Sequence, residues 1–305
     1  MLNMDRLFEA VAEKGHVCVG LDTAAEYIPA SGRTGKTDAE AVLHFNKALI
    51  DQSIDVAACY KVQIAYYEEM GIAGLSAYSQ TLKYIASKGG IAIADIKRGD
   101  IADTALRYAK AHFSGDFEAD FVTLSPYMGM DSVEPWLDAA KPKGKGAFVL
   151  MRTSNKGMRD FQYLETQANT ASAAHGKNRL YTVVADKLAE LAANCSGTQG
   201  YGMFGAVVGC TEREEARAIR TKYPNLFFLI PGYGAQGGAA DDAALLLRNG
   251  NGGVVNASRS ILKAWNAEAK ASGMDEAAAT VAFASEAARR AIIEMRDAIR
   301  AAVNA

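Results

Sequence analysis

The sequence predicts an α/β fold: a (β/α)8 barrel of the TIM type, in one domain spanning residues 1–305. Short apolar runs alternate with helical segments eight times along the 305 residues. The runs are apolar throughout rather than alternately polar, which fits parallel strands buried on both faces. Charged or polar residues follow most of the runs, as they do where a barrel gathers its chemistry at the carboxyl ends of its strands. An open doubly wound sheet is the competing arrangement.

Taken in order, residues 7–14 read as a short helical lead-in and 16–22 as a strand ending in Asp22. A loop rich in Gly, Pro and Ser follows. Thr37-Asp38-Ala39-Glu40 has the spacing of a capping box and predicts a helix to about residue 54. Residues 56–60 form the second strand, with Lys61 at its end. A helix over 64–88, broken near 71–74, leads to the third strand, 90–94, and then to Asp95-Ile96-Lys97-Arg98-Gly99-Asp100. Helical periodicity resumes over 102–113. Strands at 121–124 and 147–151 flank a helix at 132–140, and Ser154 follows the fifth strand. Residues 155–177 are polar and aperiodic, a loop insertion rather than a domain boundary. Beyond them come a helix (178–193), a strand (204–208), a helix (212–222) and a strand (226–230). The Gly-rich run from Pro231 to Gly238, a helix (241–249) and the last strand (253–256) follow. Ser258 and Arg259 come next, and an Ala-rich helix over 275–303 ends the chain.

Half of the residues are hydrophobic, 22% are charged and the formal net charge is −2. That balance gives no basic surface for nucleic acid or an anionic membrane. The apolar runs are far too short to span a bilayer. The first residues lack a secretory layout, so the expected compartment is the cytoplasm. Cys18, Cys59, Cys195 and Cys210 have no metal-ligand spacing and read as reduced thiols. The four histidines are scattered, so no metal site is expected.

In a barrel, Asp22, Lys61, Asp95, Lys97, Asp100, Ser154, Gln236 and Arg259 would all face one cup. Residues two apart in a strand point the same way, which groups Asp95 with Lys97. Asp100 follows a Gly-containing turn that can return it toward them. A lysine between two carboxylates stays protonated and keeps them ionised, making a proton donor in an anionic setting. The Gly-rich run after the seventh strand offers backbone N–H groups, and Arg259 one strand later offers a fork suited to phosphate. Barrels commonly hold phosphate at these two loops. A phosphorylated substrate facing a cationic acid suits decarboxylation, isomerisation or aldol chemistry. A phosphometabolite-binding protein without catalysis is the alternative of a different class.

Asp95-x-Lys97-x-x-Asp100-Ile101, joined to Pro231-Gly-x-Gly-Ala-Gln236 and Ser258-Arg259-Ser260, resembles the orotidine 5'-phosphate decarboxylases. Phe45-Asn46-Lys47, Tyr60-Lys61 and Ser125-Pro126-Tyr127-Met128-Gly129 point to the longer bacterial branch. The resemblance implies conversion of orotidine 5'-phosphate to UMP and CO2 in pyrimidine biosynthesis, without a cofactor. It implies that Asp22 and Lys61 hold the ribose hydroxyls, with Lys61 also bonded to Asp95, and that Asp95 lies beside the substrate carboxylate. Lys97 would protonate the ring carbon. It further implies a homodimer with shared sites, in which Asp100, Ile101 and Thr104 serve the neighbouring subunit. Ser154 would meet the pyrimidine, and Pro231, Gln236, Ser258 and Arg259 complete the substrate-binding set. A keto-gulonate phosphate decarboxylase of the same barrel group is the near rival, and its chemistry would require a divalent metal.

Overall fold

The computed structural model describes residues 1–166, 178–234 and 239–305. Eight parallel strands close a barrel: β1 (Val17–Gly20), β2 (Cys59–Gln63), β3 (Ala92–Arg98), β4 (Phe121–Leu124), β5 (Gly146–Arg152), β8 (Phe204–Val208), β9 (Phe228–Ile230) and β10 (Gly253–Ala257). The sequence order is kept around the ring, and β10 pairs with β1 to shut it. The closed ring excludes the doubly wound sheet. The two remaining strands, β6 (Glu165–Thr166) and β7 (Asn178–Arg179), form a small antiparallel pair between β5 and β8.

The strand side chains divide with period two between two cores. Cys18, Cys59, Ile93, Phe121, Phe148, Val207, Leu229 and Val254 pack together inside the barrel. Their neighbours, among them Val19, Tyr60, Ala94, Val122, Val149, Val208, Ile230 and Val255, pack outward under the helices. Continuous apolar runs are needed because both directions are buried. The first helix is longer than its sequence pattern suggested, running from Asn3 to Lys14. Its Met4, Leu7 and Val11, on one helical face, join the inner core and plug the amino-terminal mouth of the barrel.

The capping box at Thr37 and Glu40 forms as predicted and starts the helix Asp38–Ser53. The last helix begins later than residue 275. Asp275 caps a single 3-10 turn, and Thr280 then accepts the Phe283 N–H (3.1 Å) to start the helix Val281–Asn304. The helix expected over 241–249 is only Ala240–Ala244: the chain then tightens into i→i+3 turns, Leu246 N–H to Ala243 O and Leu247 N–H to Ala244 O, both at 3.0 Å. Two helices directly after β10, Arg259–Leu262 and Ala264–Ser272, had no expectation from the sequence.

Candidate active site

One layer above the apolar barrel interior, the inward positions change character. On β2, β3 and β4 they become Lys61, Gln63, Asp95 and Thr123, whereas on β5, β8 and β9 they stay apolar as Leu150, Val207 and Leu229. Together they floor a cavity of about 460 Å³ at the carboxyl ends of the strands. Asp22, Lys97, Ser154, Pro231, Ser258 and Arg259 complete its wall. The cup therefore has a charged side and an apolar side. The loop beginning at Pro231 follows β9, which lies four strands from β3 in either direction around the ring.

Asp95 is the electrostatic centre. Its Oδ1 accepts from Lys97 Nζ (2.6 Å) and Thr123 Oγ1 (2.8 Å). Its Oδ2 accepts from Gln63 Nε2 (2.9 Å) and forms an ion pair with Lys61 Nζ at 3.0 Å. Three hydrogen bonds and a second ammonium thus surround the carboxylate. Burial opposes its ionisation, but the Lys61 and Lys97 charges and the hydrogen bonds from Lys97 and Thr123 win. They hold the carboxyl well below the usual carboxylate range. Lys61 also donates to Asp22 Oδ1 (2.8 Å). Burial disfavours its charge, yet Asp95 and Asp22 outweigh that and push the ammonium above its ordinary pKa. Asp95 is thereby fixed as an anion and Lys61 as a cation.

The buried lysine between two carboxylates is therefore Lys61, reached across strands, whereas the sequence suggested Lys97. The Lys97 side chain is 47% exposed and touches Asp95 within its own chain. Asp100 does not return to the cup: its carboxylate accepts the Ile101 N–H (2.8 Å). Asp100, Ile101 and Thr104 all lie outside the cavity of their own chain. Strand alternation is also not what joins Lys97 to Asp95. The ladder to β4 breaks between Ala94 and Arg98, and Lys97 has φ 45°. A non-glycine residue held there costs roughly 1–3 kcal/mol. Ala102, at φ 49°, ends the same segment under similar strain.

The remaining wall is positioned by polar contacts from behind. Ser258 Oγ donates to Asp22 Oδ2 (2.8 Å), tying the last strand's end to the first. That contact needs Gly20, because a Cβ there would lie 1.9 Å from the Ser258 hydroxyl. Thr23 Oγ1 donates to Asn46 Oδ1, and Asn46 Nδ2 to Tyr67 Oη, both at 2.8 Å, which anchors the loop carrying Asp22. After β5, Gln162 grips Thr153 twice, accepting its N–H and donating to its hydroxyl, each at 2.9 Å. The described part of the insertion thus braces the loop that presents Ser154. Gln236 and the rest of the insertion, 167–177, lie outside the described residues.

Sequence reasoning missed Gln63, which fell between the second strand as read and the following helix, and Thr123, which read as an ordinary position of the fourth strand. Tyr27, Tyr66, Asn155 and Asn256 also line the cavity without having been singled out, and Tyr233 lines it too. Cys18, Cys59 and Cys210 are buried free thiols, while Cys195 is partly exposed. Among the described residues, no group of three or more His, Cys, Asp or Glu side chains is placed to share a metal ion. No helix among them is long and apolar enough to cross a membrane.

Comparison with known proteins agrees with this geometry. The family described as orotidine 5'-phosphate decarboxylase / HUMPS matches residues 15–274. An orotidine 5'-phosphate decarboxylase of Clostridium kluyveri is 55% identical over 266 residues, covering 87% of this chain and 89% of that protein. One from Clostridium acetobutylicum is 52% identical over 298 residues, covering 97% and 98%. The solved structure of Leishmania donovani OMP decarboxylase superposes with a TM-score of 0.74 at 30% identity, covering 100% of both chains. With a match across most of its length and relatives more than half identical, the chain belongs to the orotidine 5'-phosphate decarboxylase / HUMPS family.

Proposed function

We propose that the cup removes CO2 from orotidine 5'-phosphate to give UMP, with Lys97 as the proton donor and no cofactor. The observation that carries this reading is a single buried carboxylate, Asp95, gripped by two ammonium groups at the rim of a half-apolar cavity. Asp95 is a poor base, because the two ammonium groups hold its pKa well below the usual carboxylate range. Its part is to fix Lys97 and to face the substrate carboxylate with like charge, which strains the ground state.

When the ring carbon–carboxylate bond breaks, its electron pair stays on the ring carbon, in the ring plane and outside the π system. The Lys97 ammonium stabilises that charge and then gives it a proton, leaving a neutral amine that water reprotonates. A preformed cation costs no reorganisation at that moment. The pyrimidine lies over Leu150, Val207 and Leu229, with Ser154 at its polar edge. Asp22 and Lys61 bind the ribose hydroxyls. Arg259, the Ser258 backbone, the turn from Pro231 and Gln236 hold the phosphate. Binding energy gathered there, away from the reacting bond, serves to close the loop and exclude water.

The test is turnover of orotidine 5'-phosphate, followed by ultraviolet absorbance with a chelator present. Full turnover is expected. No turnover of this substrate would overturn the reading, and a demand for added divalent metal would move it to the phosphosugar branch.

The site is completed by a second copy. Asp100, Ile101 and Thr104 lie outside their own cavity, and Ile101 is 44% exposed for a large apolar residue. Both features suit a segment that reaches into a neighbour's cup. Mixing a Lys97→Ala chain with an Asp100→Ala chain should restore turnover, because the mixed dimer carries one site built only from unmutated residues. Absence of any recovery would place each site within one chain.

A further inference from the structure

We propose that Thr123 is a positioning residue for the decarboxylation, acting through Lys97 rather than on the substrate. The inference rests on the reading of Lys97 as proton donor. Around the break in the β3–β4 ladder, Ala94 pairs with Val122 and Arg98 pairs with Leu124. Asp95, Ile96 and Lys97 therefore stand opposite Thr123 alone. Two residues more on β3 than on β4 leave backbone N–H groups without ladder partners, and buried N–H groups need acceptors.

The Thr123 hydroxyl supplies them. It accepts from the Ile96 N–H (3.0 Å) and the Lys97 N–H (2.9 Å), and donates its proton to Asp95 Oδ1 (2.8 Å). One proton and two lone pairs are all that a hydroxyl has, so its capacity is fully used. Thr123 is 1% exposed, and no other polar residue occurs in Phe121–Leu124. One side chain on β4 thus fixes the bulge backbone, the left-handed conformation of Lys97 (φ 45°) and one oxygen of the carboxylate that Lys97 grips. The direction of the ammonium is set from the neighbouring strand.

Valine matches threonine in shape but has no hydroxyl, whereas serine keeps the hydroxyl and loses a methyl group. In the Thr123→Val variant kcat should fall about 10²-fold, the usual consequence of a misplacement near 1 Å. UMP affinity should stay within about threefold, because ribose and phosphate contacts are untouched. Thr123→Ser should recover kcat to within about tenfold of the parent. Circular dichroism shows which variants fold, and Thr123→Ala supplies the same comparison if the valine chain does not.

Unchanged kcat in a folded variant lacking the hydroxyl would overturn the inference. So would a loss of UMP affinity that matches the loss of kcat, or failure of serine to restore turnover. The underlying reading fails separately, if Lys97→Ala retains turnover. A dead Lys97→Ala beside an unimpaired Thr123→Val would sink the role of Thr123 alone.

Discussion

A Lys97→Ala variant should fold, bind UMP and lose turnover by about 10⁴-fold, equivalent to about 5.4 kcal/mol of barrier. The magnitude combines two services of one group. Removing a preorganised charge from a developing anion costs about 10²–10³-fold, and general acid catalysis contributes a comparable factor. Folding survives because the Lys97 side chain is about half exposed, so truncation leaves no internal void. Alanine also meets the same left-handed backbone that lysine does, so the strain there is unchanged. Asp95 keeps the Lys61 cation beside it and Gln63 and Thr123 as donors, and stays ionised. Single-turnover kinetics beside a thermal melt check both halves. A variant within tenfold of the parent rate would remove Lys97 from the chemistry.

Lys61→Met should damage the molecule itself. Lys61 is 5% exposed and bridges Asp22 and Asp95, so its loss leaves carboxylates facing each other without their shared cation. Breaking a buried pair from one side costs about 3–5 kcal/mol. The pH window follows from the two shifts. Asp95 has a depressed folded pKa, so its contribution is present above the unfolded carboxyl value, about 3.9, and is lost as pH falls. Lys61 has a raised folded pKa, so its contribution is present below the unfolded lysine value, about 10.4, and is lost as pH rises. Denaturation measured across pH should therefore show the full deficit near neutrality, narrowing toward pH 3. A deficit that grows in acid would contradict the ion-pair account. Asp95→Asn offers the reciprocal check, with the cation retained and its strongest partner neutralised.

The barrel was legible because its strands carry apolar residues in both directions and its helices carry their own start signals, as at Thr37 and Glu40. The charges were legible because Asp22, Lys61, Asp95 and Arg259 stand at or just beyond strand ends, where polarity interrupts an apolar run. What could not be read was pairing across strands. Nothing in the residue pattern says that Gln63 meets Asp95 or that Lys61 bonds to Asp22, since these contacts depend on register; the link from Lys61 to Asp95 came only with the family resemblance. The bulge was hidden for the same reason: Asp95-Ile96-Lys97 reads as plain alternation until β4 is laid beside it with one residue opposite three. Thr123 looked like a strand residue, and β-branched threonine is common in strands. The helix at residues 3–14 was read too short, because its plugging role becomes visible only once a barrel mouth exists to be filled.

The seam between β1 and β10 has a consequence for how the protein is made. Asp22 and Ser258 are 236 residues apart in the chain, yet their hydrogen bond joins the two sides of one nucleotide site. A ribosome adding about 5–20 residues per second needs about 12–47 s to travel from one to the other. In the latter part of that interval β3, with Asp95 and Lys97, has been made, while Arg259, to which the proposal gives the phosphate, has not. On the proposed reading, a chain interrupted before that point lacks its phosphate site and should turn over no substrate.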